Sequence, residues 1–223
     1  MNPHPFPPSP HLLTALLISL VGLAGGCNNG LPGNGKSQTR NRPVEDFHAV
    51  SMQGTGAVNV MVGKPRSVTV TVDENLMQYV ETTTTNGTLQ IRNSQPLNPK
   101  VNLVVDISVP RLDAGHVTGV GNLKITDLTG KSVELSVSGV GSLWASGIVE
   151  SAEVDVSGVG NADLAELKAS SVEVTVSGTG GAEVYASDRV KARVSGVGDI
   201  VVHGHPKDID QSSTGIGKVV IRK

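Results

Sequence analysis

Aromatic side chains are nearly missing: one Trp, two Tyr and two Phe serve 223 residues. Any core must then be built from Val, Ala, Leu and Ile, which suits thin stacked layers better than a bulky interior. Cysteine is almost absent as well. A single thiol, Cys27, can form neither an internal disulfide nor a cysteine-rich metal site. Neither sign of charge dominates, with 18 Lys and Arg interspersed among 20 Asp and Glu for a formal net charge of -2. Nucleic-acid partners are therefore not expected, because nothing concentrates positive charge against a phosphate backbone.

Long apolar runs are also lacking. The one candidate, Leu12–Gly26 (LLTALLISLVGLAGG), is too short to span a bilayer and has the length of a signal-peptide core. Residues 1–26 are accordingly predicted to be a signal peptide. Ala24, Gly25 and Gly26 before Cys27 resemble a bacterial lipobox, in which cleavage precedes a diacylated cysteine. Residues 1–11 contain no Lys or Arg, and Ala24 stands where Leu is commoner, so the match is partial. The resemblance makes Cys27 the expected lipid attachment site. Each buried methylene of its acyl chains would contribute about 0.8 kcal/mol, enough in total for a lasting hold on a membrane. Asn28 is not the Asp of an inner-membrane retention signal, so the outer membrane is the expected destination, on either face.

The stretch that follows, residues 28–43 (NNGLPGNGKSQTRNRP), is Gly, Asn, Pro and polar residues. With Cys27 it is predicted to be a lipidated, flexible linker, with a reach of roughly 20–25 Å. A domain over residues 44–223 is expected beyond it.

Glycine is abundant, at 27 residues, and much of it is periodic. G-x-G recurs at Gly119/Gly121, Gly139/Gly141, Gly158/Gly160, Gly178/Gly180, Gly196/Gly198 and Gly215/Gly217, at spacings of 18 to 20 residues. Before each pair, apolar residues such as Leu135 and Val137 alternate with polar ones such as Glu134 and Ser136. After it, a second alternating run begins, as in Leu123 and Ile125. Such alternation marks half-buried strands, and a short unit of this kind can bury its apolar face only by stacking on its neighbours. The predicted fold is all-β: a right-handed parallel β-helix of about 19-residue coils, covering residues 111–223, with an N-terminal β cap. The residue between the glycines (Val120, Val140, Val159, Thr179, Val197, Ile216) is expected to plug the corner.

Residues 44–110 read as less regular strands, with a brief helical turn at Asp73–Tyr79 and one more bend at Gly54-Thr-Gly56. They are predicted to form the cap and the first coils, covering an otherwise open apolar stack.

RPVEDFHAVSMQGTGAVNVMVG, then VTVTVDENLMQYVETTTTNGTLQIR, then the SGVGN-type repeats closely resemble the head GIN domain family, described as an autotransporter adhesin head. The likeness runs from Arg42 to Lys223. It implies a secreted or envelope-bound β-helical domain, and it carries no catalytic residues because the family motif is a bend. The repeat reaches almost to Lys223, so no translocator barrel is expected within these residues.

Several side chains invite chemistry. Stacking places Glu134, Glu153 and Glu173 in one exposed column, where carboxylates about 5 Å apart could serve a retaining glycosidase or hold a cation. The plainer expectation is a solvated charged face that guards the strands against aggregation, with Lys191 and Arg193 relieving repulsion by pairing with Glu173 and with Asp155 or Thr175. Calcium is not expected: in the column Asn122, Ser142, Asn161, Gly181, Asp199 and Lys218 only Asp199 suits it, and turn geometry explains the rest. The Ser138, Ser157, Ser177 and Ser195 ladder lacks a histidine in its repeats to activate it. His203 and His205 could share a metal, but a solvated histidine pair is the default. Trp144 is expected to lie over the Lys124 stem.

The expectation is a cell-envelope lipoprotein with a scaffold or adhesin-like binding domain, a monomer without catalysis, cofactor or metal. The candidate surface is Glu134, Glu153, Glu173, Asp155 and Trp144. Partners would be the lipid membrane through Cys27 and an envelope protein or glycan. The alternative is an enzyme on envelope polysaccharide using Glu153, Glu173 or Asp155.

Overall fold

The computed structural model describes residues 30–222. The signal peptide predicted for residues 1–26 and the predicted lipid attachment site Cys27 lie outside the described residues. Four successive segments, Val120–Val137, Val140–Val156, Val159–Val176 and Thr179–Val194, are each almost continuous strand. They pair in parallel with equivalent residues in register, so Leu123, Leu143, Ala162 and Ala182 form one file and Leu135, Val154, Val174 and Ala192 another. Ile200–His203 and Asp208–Ser213 extend the stack, and Val219–Arg222 adds a strand above Ile200–His203. The product is a β-solenoid of about five turns.

Alternation along each strand sends every second side chain into one continuous aliphatic core. Large and small residues trade places between coils: Leu143 with Ala145 in one, Ala162 with Leu164 in the next, all at most 2% exposed. This keeps the coil cross-section nearly constant despite changing side chains. Differences in coil length are absorbed at one corner, where register slips between Ile125 and Leu128 and again between Trp144 and Gly147.

The glycine corner holds the coils close. A Cβ on Gly139 would stand 2.1 Å from the Gly119 carbonyl oxygen of the coil before it. One on Gly180, whose φ is +144°, would stand 1.8 Å from that of Gly160. No side chain fits. The alternation also continues through the corner: Val137 and Leu143 are buried, and Gly139 and Gly141 share their parity. The residue between the glycines must then point outward. Val120, Val140, Val159 and Ile216 are 52%, 50%, 54% and 75% exposed, so they form a ridge on the surface rather than a plug in the corner.

Residues 44–110 form the first coils and cap. Thr55–Val62 pairs in parallel with the start of Val120–Val137, with Gly56 opposite Gly121, and Ala49–Met52 pairs with Ala114–Val117. Antiparallel pairs close the end: Val80–Thr85 on Thr88–Asn93, and Ser67–Asp73 on Val104–Val109. The expected helical turn is a 3-10 turn at Met77–Tyr79, with Leu76 and Met77 buried against the cap.

The linker expected over residues 27–43 is not a leash from Leu31 onward. Leu31–Pro32 pairs with Leu97–Asn98, and Ser37–Asn41 pairs antiparallel with Ser67–Asp73. Backbone groups make these bonds, so polar side chains do not prevent them. The arm is fastened by Asp73, which is fully buried and accepts the amides of Gly35 at 2.5 Å and of Lys100 and Val101 at 2.9 Å. Asn75 adds to it, accepting the Asn34 amide and donating to the Pro32 carbonyl, both at 2.9 Å.

Candidate binding surface

Parallel register brings Glu134, Glu153 and Glu173 into one exposed column. Adjacent members sit one strand spacing apart, about 4.8 Å at the backbone. They line a shallow groove of about 400 Å³ together with Asp113, Ser132, Ser151 and Ser171. Lys191 stands next in the column and pairs with Glu173. Arg193 does not turn back to Asp155 or Thr175. It reaches forward to Asp210 at 3.1 Å and Ser212 at 3.2 Å, because the following coil offers a carboxylate beside its own column. Like charge thus remains uncompensated over Glu134 and Glu153, which engage in no ion pair among the described residues.

Asp155 is half-buried in the neighbouring column, between Ser136 and Thr175. His116, not singled out by the sequence pattern, joins this column and bonds through Nδ1 to the Ser136 hydroxyl at 2.8 Å. Only the register could have revealed that contact, since the residues are 20 apart. Asp155 stands on the far side of Ser136 from His116, so the three do not form a relay with histidine in the middle. Asp113 is held below the ordinary carboxylate range by its hydrogen bonds to Arg111, which outweigh the effect of burial.

Trp144 occupies an outward column with Lys124 and Asp163 as neighbours. The Lys124 ammonium lies 4.9 Å from its ring centroid, the packing lid expected of it. Lys168 covers Tyr185 in the same manner, at 3.9 Å. A second hollow of about 470 Å³ opens where Gly181 contributes no side chain, bordered by Asn161, Asp163, Glu183 and Asp199. Its amide-like and carboxylate oxygens serve the stack: Asn161 accepts the Gly181 amide and Asp199 the Lys218 amide, both at 2.9 Å. The left-handed turn geometry expected of this column is not found, since none of Asn122, Ser142, Asn161, Gly181, Asp199 and Lys218 has a positive φ; the side chains of Asn161 and Asp199 tie one coil to the next instead.

His203 lies 3.5 Å from the Glu183 carboxylate, and His205 is exposed. Among the described residues no three His, Cys, Asp or Glu side chains gather as a metal set. The serine ladder at 138, 157, 177 and 195 faces solvent. Beside it runs the ridge expected as a corner plug, in which Thr55, Val120, Val140, Val159 and Thr179 stand in register and bridges continue to Val197 and Ile216.

These features define a class: a β-solenoid whose distinctive groups stand in outward files along stacked coils. The chain belongs to the family described as "Putative auto-transporter adhesin, head GIN domain", whose sequence profile matches residues 46–206. Solved structures share the architecture. One titled a putative adhesin from Bacteroides fragilis has 24% identity and a TM-score of 0.72, covering 86% of this chain and 100% of its own. Two from Parabacteroides distasonis, titled a putative adhesin and a putative lipid binding protein, have 22% and 23% identity and TM-scores of 0.53 and 0.51. Each covers 86% of this chain and 99% of its own. At these identities the likeness speaks to the fold. No curated protein matches the chain significantly in sequence.

Proposed function

We propose that this is an outer-membrane lipoprotein, anchored through acylated Cys27, whose solenoid binds an envelope protein or glycan without catalysis. The observation that supports binding is the column Glu134, Glu153 and Glu173, flanked by Ser132, Ser151 and Ser171 in the same groove. A file of identical acceptors at one-coil intervals suits a partner with repeated donors, such as amines or sugar hydroxyls. Individually weak contacts then add through their fixed spacing. Asp155 extends its charge in the neighbouring column, and Trp144, which does not line the groove, adds a separate packed contact against Lys124. The body acts as a monomer: Gln211 stands over Ala192 and Ser213 over Val194, which puts polar groups at the end of two apolar files.

Family membership supports the adhesin-like part of this reading. The lipid anchor is tested by the mass of the Cys27 peptide isolated from native membranes, which should carry acyl chains. Absence of catalysis is tested by incubating the protein with envelope polysaccharides. No new reducing ends should form. Product formation abolished by Glu153→Gln would replace the scaffold reading with the glycosidase one.

A further inference from the structure

The ridge between the paired glycines is the largest departure of the surface from a polar solenoid. Thr55, Val120, Val140, Val159, Thr179, Val197 and Ile216 run the length of the stack as a single file. Its flanks are uncharged over the four coils from Val120 to Thr179, with Thr118, Ser138, Ser157 and Ser177 on one side and Asn122, Ser142, Asn161 and Gly181 on the other, and charge enters only beyond them at Asp199 and Lys218. Charge is concentrated elsewhere, on the carboxylate column.

The ridge also begins where the chain enters the fold. Val120 and Thr55 line one hollow with Pro96 and Leu97. Leu31 pairs with Leu97, and the Leu31 amide donates to the Pro96 carbonyl at 2.8 Å. Gly30 touches the same two residues, since a Cβ on it would lie 2.8 Å from the Leu97 carbonyl carbon. Three peptide units separate Gly30 from Cys27, a span of at most about 11 Å. Because Leu31–Pro32 and Ser37–Asn41 are both paired into the fold, the arm from Leu31 onward is no free leash between the body and its anchor.

We propose that the ridge is a membrane-contacting edge: the solenoid lies along the lipid surface on Val120, Val140, Val159, Val197 and Ile216, with its carboxylate column turned away from the contact. The occupant is the bilayer interface, where aliphatic groups meet acyl chains and the flanking hydroxyls and amides meet headgroups. This rests on the proposed anchorage through Cys27, and it makes the anchor and the ridge one device. The anchor holds the chain at the surface, and the ridge fixes which face looks outward.

The test tethers the full mature chain through Cys27 to phosphatidylcholine vesicles containing a maleimide-bearing phospholipid, which supplies the tether whether or not the cell acylates that residue. In a Trp144→Phe background, single reporters Val140→Trp and Val159→Trp are compared with Glu153→Trp, with brominated acyl chains as quencher. Ridge reporters should show blue-shifted emission and at least threefold stronger quenching than Glu153→Trp. Equal quenching at the two faces would overturn the proposal. So would a blue shift on the ridge that grows with protein density without lipid quenching, which would assign the ridge to contact between copies. Failure to find acyl chains on Cys27 in native membranes would instead remove the lipoprotein reading and leave this comparison readable.

Discussion

The Asp73 carboxylate accepts the Gly35 amide at 2.5 Å across 38 residues of chain, and by that bond the entering arm becomes part of the fold. Burial pushes the Asp73 carboxyl up, but the amides of Val101, Gly35 and Lys100 outweigh it and hold the group below the ordinary carboxylate range. A depressed folded value means that the unfolded chain binds the proton more readily. The stability it gives is therefore complete above an unfolded value of about 3.9 and is lost as pH falls through the lower folded value. Hydrogen exchange of the Ser37–Asn41 amides should accelerate relative to the coils on acidification through that window. In Asp73→Asn the arm should be open already at neutral pH, and this acid step should vanish.

The corner glycines should be unequal to other glycines of positive φ. Gly180→Ala places a methyl 1.8 Å from a carbonyl oxygen and should cost about 3 kcal/mol or more, as a coil must shift. Gly130 has φ +158° but nothing within 4 Å of its Cβ, so Gly130→Ala should cost only about 1 kcal/mol of backbone strain. Urea midpoints with unchanged slope would measure the contrast. Similar losses would mean that the coils are not tightly stacked there.

Leu143 lies over Ala162 in the core. Leu143→Ala should lose about 2–5 kcal/mol by leaving a cavity, and Ala162→Leu should lose about 1–3 kcal/mol by overpacking. The double exchange should recover part of both losses, giving a coupling of about 1 kcal/mol or more between neighbouring coils. Strict additivity in denaturant titrations would deny that the two share one layer of packing.

The carboxylate column should separate function from stability. Like charges side by side on a sheet disfavour folding by about 0.2–1 kcal/mol each, so Glu153→Gln should leave thermal stability unchanged or slightly raised. Lys191→Gln removes an exposed pairing with Glu173 worth about 0–1 kcal/mol and should be nearly neutral. Calorimetry on both variants checks this. A large drop for Glu153→Gln would give that residue a structural role.

The body of the solenoid was legible because each strand alternates and each coil repeats: Leu135 and Val137 could be placed inside, and Glu134 outside, without coordinates. The same parity rule, carried through Gly139 and Gly141, puts Val140 outside. Treating the bend as a break in the alternation hid the ridge. The arm at Ser37–Asn41 was illegible for a different reason, since its pairing uses backbone groups and leaves the side chains largely exposed, with no apolar signature. Arg193 could be assigned to a column but not to a partner, because the long side chain can reach either adjacent coil and the one above holds Asp210. The His116 contact to Ser136 depended on the register of Ala114–Val117 against Val120–Val137, just ahead of the regular glycine repeats.

The most direct measurement takes the purified mature protein and counts what Glu134, Glu153 and Glu173 contribute to retention on isolated envelopes. Replacing one, two and then all three by Gln should lower the bound fraction stepwise, to a tenfold or greater loss in the triple variant with its melting temperature intact. Retention that is indifferent to the triple replacement would contradict the assignment of binding to this column.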